Sequence, residues 1–260
     1  MIASNFLKDK IRRGQPVIGT WNTLGAPLVS EVLAEAGFDF LIVDFEHGPF
    51  QIDAVHDYVA HCEPHGCSPI VRIPTNADWM ALQALDQGAH GIMVPHVDAA
   101  EDARRLVSAC KYHPEGARGF TPFSKAGGFT NATAREYVAR ANDFALTAVL
   151  IESRRALDAL DQILTVEGLD IVYFGAYDIS QDLGVPGEVR HEKVREAIAR
   201  GVARVVEAKK CAGGFVAQSR DDVDWLLDMG VRFITYEVDS HILFRPVRDL
   251  VQWFAGKSGR

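Results

Sequence analysis

Two carboxylates, Glu152 and Asp178, stand where predicted strands end and could bind a cation. Glu152 comes directly after the apolar residues 148–151, and Asp178 follows the turn-like residues 175–177. An apolar strand gains nothing from ending in a buried carboxylate unless a cation or an ion-pair partner receives the charge. Carboxylate oxygens suit Mg²⁺ or Mn²⁺, and two of them leave positions for water and a chelating substrate. A helix cap or a salt bridge is the alternative for Asp178.

A histidine and an arginine stand at comparable positions earlier in the chain. His47 lies beside Asp44 and Glu46, and its imidazole suits proton transfer near neutral pH. Arg72 closes the apolar residues 70–71, where its guanidinium could hold a carboxylate or a developing enolate oxygen. An ordinary polar role for His47 and an ion pair between strand ends for Arg72 remain open.

The elements that must position these side chains follow a repeated order along the 260 residues. A short apolar run is followed by a polar-faced helical pattern, and this unit recurs to the end of the chain. Strands are predicted at residues 17–21, 38–44, 69–73, 91–94, 147–151, 171–174, 214–216 and 232–236. Eight βα units predict a (β/α)8 barrel, an α/β fold, with residues 1–260 as one domain.

The barrel prediction brings the candidate residues together, because the carboxyl ends of all eight strands form one rim. The alternative, an open doubly wound sheet, normally carries a glycine-rich phosphate turn after its first strand. Residues 19–21 read Gly-Thr-Trp and form no such turn. The long glycine-containing segment of residues 112–133 is expected to cover the active site, since long loops in compact domains are usually functional.

Two further groups of polar residues receive a lesser weight. Residues 61–67 contain His61, Cys62, His65 and Cys67, which are possible zinc ligands. They precede the third predicted strand, at the end of the barrel associated with stability, and they lack a second half-site. Glu237 and Asp239 follow the last strand, where capping of the next helix is the simpler role for Asp239.

The composition indicates a small-molecule partner. The formal net charge of −8 argues against a nucleic-acid surface or an anionic-membrane surface, both of which need clustered positive charge. The hydrophobic content of 48% is typical of a globular core. The first residues lack the apolar stretch of a secretory signal, and no run reaches the length of a membrane span, so we expect a cytoplasmic protein.

Several segments, in order and over nearly the whole chain, resemble the HpcH/HpaI family of metal-dependent 2-oxo acid aldolases, which contains 4-hydroxy-2-oxoheptanedioate aldolase and 2-dehydro-3-deoxyglucarate aldolase. The segments are residues 37–48, 71–74 with 85–89, 91–95, 151–153 and 174–180. The resemblance implies a barrel of the pyruvate-binding type. It also implies a reversible reaction in which a 4-hydroxy-2-oxo acid is cleaved to pyruvate and an aldehyde, or formed from them, through an enolate.

The resemblance also implies roles for individual residues. Glu152 and Asp178 are similar to ligands of a divalent ion such as Mg²⁺, Mn²⁺ or Co²⁺. His47 resembles the catalytic base, Asp86 its orienting partner, and Arg72 the cation that stabilises the enolate. The residues expected to support the metal or border the pyruvate pocket are Glu46, Asp44, Gly175, Ala176 and Tyr177. A homo-oligomer is implied as well, a hexamer built as a trimer of dimers, with residues 245–253 packing on a neighbouring subunit.

Two positions depart from the family pattern beside the pocket. Leu150 stands where many members carry glutamine, and Tyr177 falls within the turn that commonly reads Gly-Pro-Ala-Asp. Related alternatives are an acyl-CoA lyase, a C–C bond enzyme that decarboxylates oxaloacetate, and a non-catalytic barrel that binds a 2-oxo acid. A Schiff-base aldolase needs a lysine at a strand end, whereas the lysines of this chain are predicted in helices, loops or termini.

Overall fold

The computed structural model describes residues 5–132 and 134–258, which alternate between strands and helices. The strands are β1 Val17–Asn22, β2 Phe40–Asp44, β3 Ser68–Arg72, β4 Gly91–Val94, β5 Leu146–Ile151, β6 Ile171–Phe174, β7 Cys211–Gly214 and β8 Phe233–Val238. The helices are α1 Phe6–Arg12, α2 Pro27–Glu35, α3 Val55–Cys62, α4 Asp78–Asp86, α5 Ala100–Cys110, α6 Ala134–Phe144, α7 Arg154–Asp158, α8 Leu160–Leu164, α9 Ala176–Asp182, α10 Glu192–Glu207, α11 Arg220–Met229 and α12 Asp239–Ser258. Two short 3₁₀ turns, Ile52–Ala54 and Glu63–His65, flank α3.

The strands form one closed parallel barrel in chain order, and β8 pairs with β1 to complete it. This confirms the predicted (β/α)8 barrel and excludes the open sheet. Neighbouring strands pair in a register that sets Asp44 of β2 opposite Arg72 of β3. The two side chains are therefore brought together by the strand pairing itself.

The two-residue period of the strands decides which side chains face the barrel interior. Residues 146, 148 and 150 of β5 lie in the interior core with residues 171 and 173 of β6, and the alternate positions pack outward against the helices. The next inward positions are Glu152 after β5 and Gly175 after β6. The same alternation places Asp44 after Phe40 and Ile42, and Arg72 after Ile70.

Helix α1, which the sequence patterns did not predict, closes the amino-terminal end of the barrel. Its Leu7 is fully buried in the interior core. The side-chain amide of Asn5 donates to the carbonyls of His90 and Phe144. Beside it, the ammonium of Lys8 donates to the carbonyl of Ala145 and lies 3.1 Å from the Asp170 carboxylate. The amino-terminal end is thus filled by polar contacts as well as by Leu7.

Strand β7 differs from its prediction. It spans Cys211–Gly214 rather than residues 214–216. Its residues are small and include no β-branched side chain, so the usual signal of a strand is missing. The apolar residues at 215 and 216 that suggested a strand lie beyond its end, where Phe215 adopts a positive φ of 57°.

The segment of residues 112–132 lies at the amino-terminal end of its own barrel. Arg118 pairs with Asp86 at the end of α4, and Lys125 pairs with Glu63 after α3. Helices of a (β/α)8 barrel run antiparallel to the strands, so the ends of α3 and α4 lie beside the strand starts. The expectation that this segment covers the active site of its own barrel is therefore wrong. Thr133, the last residue of the predicted segment, lies outside the described residues.

Within residues 5–132 and 134–258, we find no helix long and apolar enough to cross a membrane.

Candidate active site

A cavity of about 330 Å³ opens at the carboxyl ends of the strands. It contains eight of the ten predicted site residues, namely Asp44, His47, Arg72, Glu152, Gly175, Ala176, Tyr177 and Asp178. The remaining lining residues are Trp21, Thr23, Leu150, Tyr173, Phe215, Val216 and Val238. The predicted residues that do not line this cavity are Glu46 and Asp86.

Asp44 and Arg72 form the floor of the charged side of the cavity. Arg72 donates from Nε to Oδ1 of Asp44 at 2.8 Å and from Nη2 to Oδ2 at 2.6 Å. The guanidinium also lies over the ring of Trp21, with Cζ 4.5 Å from the ring centroid. This two-point hydrogen bond fixes the plane of the guanidinium. The ion pair between strand ends, which was the alternative role for Arg72, is present. It orients the guanidinium, which still lines the cavity.

Glu46 supports the same arginine from the far side. Its Oε2 lies 2.9 Å from Nη1 of Arg72. A guanidinium has five N–H donors, and Asp44 accepts two of them. Glu46 adds the charge of an ion pair at Nη1. The N–H groups that Asp44 does not accept remain for a bound molecule.

His47 is held at the rim by the turn that follows β2. Oδ1 of Asp44 accepts hydrogen bonds from the backbone N–H groups of Glu46 and His47, at 3.1 and 3.2 Å. The buried Asp44 carboxylate therefore orders the turn as well as Arg72. The His47 side chain is exposed and lines the cavity, which is where a group that exchanges protons with a substrate must lie.

Glu152 is buried, with 6% of its surface exposed. Its Oε2 accepts a hydrogen bond of 2.8 Å from the backbone N–H of His96. Burial raises the pKa of Glu152, and the negative charges of Asp178 and Glu46 add to the increase, while the His96 hydrogen bond and charge oppose it. A cation between Glu152 and Asp178 would relieve this unfavourable electrostatics.

Gly175 makes room for the Glu152 carboxylate. A Cβ atom at position 175 would lie 2.7 Å from Cγ and 3.0 Å from Oε1 of Glu152. Ala176, Tyr177 and Asp178 follow in the first turn of α9, where Tyr177 and Asp178 are exposed. Asp178 thus faces Glu152 across the end of β6 from a short helix.

Asp86 does not join this group within the chain. Its Oδ1 accepts a hydrogen bond of 2.5 Å from Nη2 of Arg118 at the amino-terminal end of the barrel, whereas His47 follows the carboxyl end of β2. The expected pairing of Asp86 with His47 is therefore wrong within a single barrel. The direction of α4 is the physical reason, because a helix that leads into β4 ends beside the strand starts.

His96 belongs to the site although the sequence patterns did not select it. Besides its N–H bond, its Nδ1 lies 3.3 Å from Oε2 of Glu152, and its Nε2 lies 3.4 Å from Oε1 of Glu46. It also has a positive φ of 55°, an uncommon conformation for a residue with a side chain. Its position one residue after Val94-Pro95, at the end of a predicted strand, was the available signal.

The donor set fits a divalent ion that takes oxygen ligands. Glu152 and Asp178 supply two carboxylates beside a cavity large enough for water and substrate oxygens. No group of three or more His, Cys, Asp or Glu side chains arranged to hold a metal occurs among the described residues. Any ion here would therefore depend on water or substrate for its other ligands.

The fold and the site define a class, the (β/α)8-barrel enzymes whose acidic site suits a divalent ion at the carboxyl ends of the strands. Residues 18–246 match the family described as HpcH/HpaI aldolase/citrate lyase. The chain belongs to this family, whose class II aldolases generally depend on a divalent metal.

Individual relatives cover almost the whole chain. A hydroxypyruvate/pyruvate aldolase from Roseovarius nubinhibens is 34% identical over 252 residues, covering 96% of this chain and 97% of the relative. A 2-keto-3-deoxy-L-rhamnonate aldolase from Escherichia coli is 35% identical over 260 residues, covering 99% and 96%. The crystal structure of an HpcH/HpaI aldolase from Desulfitobacterium hafniense has a TM-score of 0.91 at 32% identity, covering 96% of each chain.

Proposed function

We propose that the chain is a divalent-metal-dependent aldolase that cleaves or forms a 4-hydroxy-2-oxo acid, with pyruvate and an aldehyde as the other partners. The observation that carries the proposal is the cavity itself, which gathers Glu152, Asp178, Arg72 and His47 at one rim. The names of the aldolases of similar sequence support the same reaction class.

The charged side chains divide the work between binding and charge stabilisation. Glu152 and Asp178 would hold the ion, which when bound polarises the 2-oxo group of the substrate. The N–H groups of Arg72 that Asp44 does not accept would stabilise the oxygen that becomes negative as the enolate forms. The bonds to Asp44 and Glu46 keep the guanidinium in place, so little reorganisation is needed during the reaction.

His47 is the proposed proton carrier. In the cleavage direction it accepts the proton of the C4 hydroxyl while the C3–C4 bond breaks, so that the aldehyde leaves and pyruvate enolate remains. Returning that proton to C3 gives pyruvate, and the reaction is balanced without a further reactant. Asp86 of the same chain takes no part in orienting His47.

A Schiff-base mechanism has less support. None of the described residues that line the cavity is a lysine. Two lysines are buried elsewhere, Lys8 and Lys111, but both lie at the amino-terminal end of the barrel. Neither can reach a substrate held by Glu152 and Arg72 in this cavity.

We also propose that the chain forms a homo-oligomer, and the expected form is a hexamer of paired barrels. Helix α12 extends from the barrel with exposed apolar side chains at Leu243, Val247, Leu250 and Phe254. Their spacing places them on one face of the helix. A second subunit would cover this face.

Exchange of the pyruvate methyl protons with deuterated water tests the proposed function. The native enzyme should catalyse the exchange when Mg²⁺, Mn²⁺ or Co²⁺ is present and should lose it after chelation, as followed by proton NMR. Glu152→Gln should remove the exchange and weaken Mn²⁺ binding measured by calorimetry. Undiminished exchange in metal-free protein, or trapping of pyruvate by borohydride, would contradict the proposal.

A further inference from the structure

We propose that the catalytic cavity selects an aldehyde with an apolar substituent, a short alkyl chain or one aromatic ring, over a polyhydroxylated aldehyde. This inference rests on the proposed aldolase function and deepens it. Its basis is the division of the cavity into a charged half and an apolar half.

The charged half follows β2, β3, β5 and β6. It consists of Asp44, His47, Arg72, Glu152 and Asp178. These groups bind or transform the 2-oxo acid portion, which carries the carboxylate and the oxo oxygen. The remaining arc of the rim must therefore face the other end of the substrate, where the aldehyde is released.

That remaining arc consists mainly of apolar side chains from β7, β8 and β1. Phe215 and Val216 follow β7, Val238 ends β8, and Trp21 lies on β1. Phe215 and Trp21 are buried, whereas Val216 and Val238 are only partly buried and present apolar surface to the opening. Burying this surface against an apolar substituent is favourable.

The polar side-chain atoms that line the arc are already engaged. The indole N–H of Trp21 donates to the hydroxyl of Tyr173 at 3.2 Å, and that hydroxyl lies 2.7 Å from Oγ1 of Thr235. The hydroxyl of Thr23 donates to Asp239 at 2.8 Å. A polyhydroxylated chain would lose hydrogen bonds to water here and gain few in return.

Leu150 continues the apolar character below the cavity. It is buried, it lines the cavity, and it occupies the inward position two residues before Glu152. The cavity volume of about 330 Å³ lies near the lower limit for ligand sites, so the substituent must be small. Tyr177 also lines the cavity, but it lies on the charged side, beside Asp178.

The test compares aldehydes of equal carbon number with pyruvate as the common partner. For propanal and glyceraldehyde, we expect kcat/KM to favour propanal by about 10 to 100-fold, the range that one small apolar contact commonly supplies. Val216→Thr and Val238→Thr each replace a methyl group by a hydroxyl with little change of shape, and each should reduce the preference for propanal about tenfold or more. Val206→Thr on the outside of α10 is the matched control and should keep the native ratio.

Pyruvate exchange, measured in the same samples, separates the two proposals. Absence of exchange in the native enzyme contradicts the aldolase function itself. Exchange combined with a preference for glyceraldehyde, or with a ratio unchanged in both folded threonine variants, overturns the apolar selection alone. If circular dichroism shows that a variant does not fold, the test rests on the native enzyme. A native kcat/KM for propanal no higher than that for glyceraldehyde then overturns the inference.

Discussion

Gly175 lies against the side chain of Glu152, and this contact decides where the carboxylate can lie. Any Cβ at position 175 would meet Cγ of Glu152 at 2.7 Å. Glu152 is already held on its other side by the N–H of His96. These two contacts restrict the Glu152 carboxylate to a position facing Asp178.

Gly175→Ala should displace Glu152 and weaken Mn²⁺ binding by about 10 to 100-fold, the usual effect of disturbing the surroundings of a metal ligand. Calorimetric titration with Mn²⁺ measures this change. Gly256→Ala is a suitable control, because a Cβ there meets no atom within 4 Å. Native Mn²⁺ affinity in folded Gly175→Ala would show that Glu152 is not a ligand.

His47 should contribute to proton transfer without contributing to metal binding. His47→Ala is expected to lower turnover by about 10²–10⁴-fold, because general-base help has that magnitude. Its Mn²⁺ affinity should equal that of the native protein, since His47 follows β2 whereas the proposed ligands follow β5 and β6. His56→Ala, on the exposed side of α3, provides the comparison. Loss of Mn²⁺ affinity in His47→Ala would identify the histidine as a ligand instead.

At the scale of the elements, the strands could be predicted because their apolar runs are read directly from the sequence. Each predicted strand overlaps a strand of the barrel, but the prediction for β7 shares only Gly214 with it, because Cys211–Gly214 lacks large side chains. The cavity residues after β2, β3, β5 and β6 followed from the barrel topology. The contacts of His96 could not be predicted, because they depend on a positive φ that no local pattern indicates.

The junction of α1, α5 and β5 contains two buried ammonium groups close together. Lys111 donates to the carbonyls of Asn142 and Ala145, and Lys8 shares the Ala145 carbonyl. Burial and the charge of Lys8 together lower the pKa of Lys111 to about 8, although Asp170 and Cys110 oppose the change. The charged form of Lys111 is therefore disfavoured in the folded protein.

This lowered pKa predicts how stability changes with pH. Both states keep the Lys111 proton below about pH 8, whereas between about 8 and 10.5 only the unfolded state keeps it. The unfolded state then binds more protons, so the Lys111 contribution to folding stability rises with pH by at most about 1.4 kcal/mol per pH unit. Ionisation of cysteine and tyrosine side chains changes the stability in the opposite direction. It affects the native protein and the Lys111→Met variant alike, so the difference between their free energies of unfolding excludes it.

Urea unfolding of the native protein and Lys111→Met at pH 7.5 and 9.5 measures the difference. The variant should be less stable at both values, because the Asn142 carbonyl loses its Lys111 donor and the Ala145 carbonyl keeps only that of Lys8. The gap in free energy of unfolding should be wider at pH 9.5. An equal gap at both pH values would show that Lys111 titrates normally.

For the whole molecule, α12 is the element that the barrel leaves uncovered. From residue 243 to residue 254 every side chain is exposed. Seven of them are large and apolar, each with more than half of its surface exposed, namely Leu243, Phe244, Val247, Leu250, Val251, Trp253 and Phe254. Monomeric proteins rarely leave so much contiguous apolar surface in water. Sequence patterns predicted the apolar face, but only the barrel shows that no described part of the same chain packs over it.

Val247→Glu combined with Leu250→Glu should therefore dissociate the oligomer, because burying two carboxylates in an apolar interface costs more than the contact provides. Light scattering should give a mass above that of the 28.6 kDa chain for the native protein and a smaller mass for the double variant. Gln252→Glu adds charge to the same helix without removing an apolar side chain, so it should keep the native mass. If the native protein has the mass of a single chain, the exposed face of α12 has another partner and the proposed hexamer is wrong.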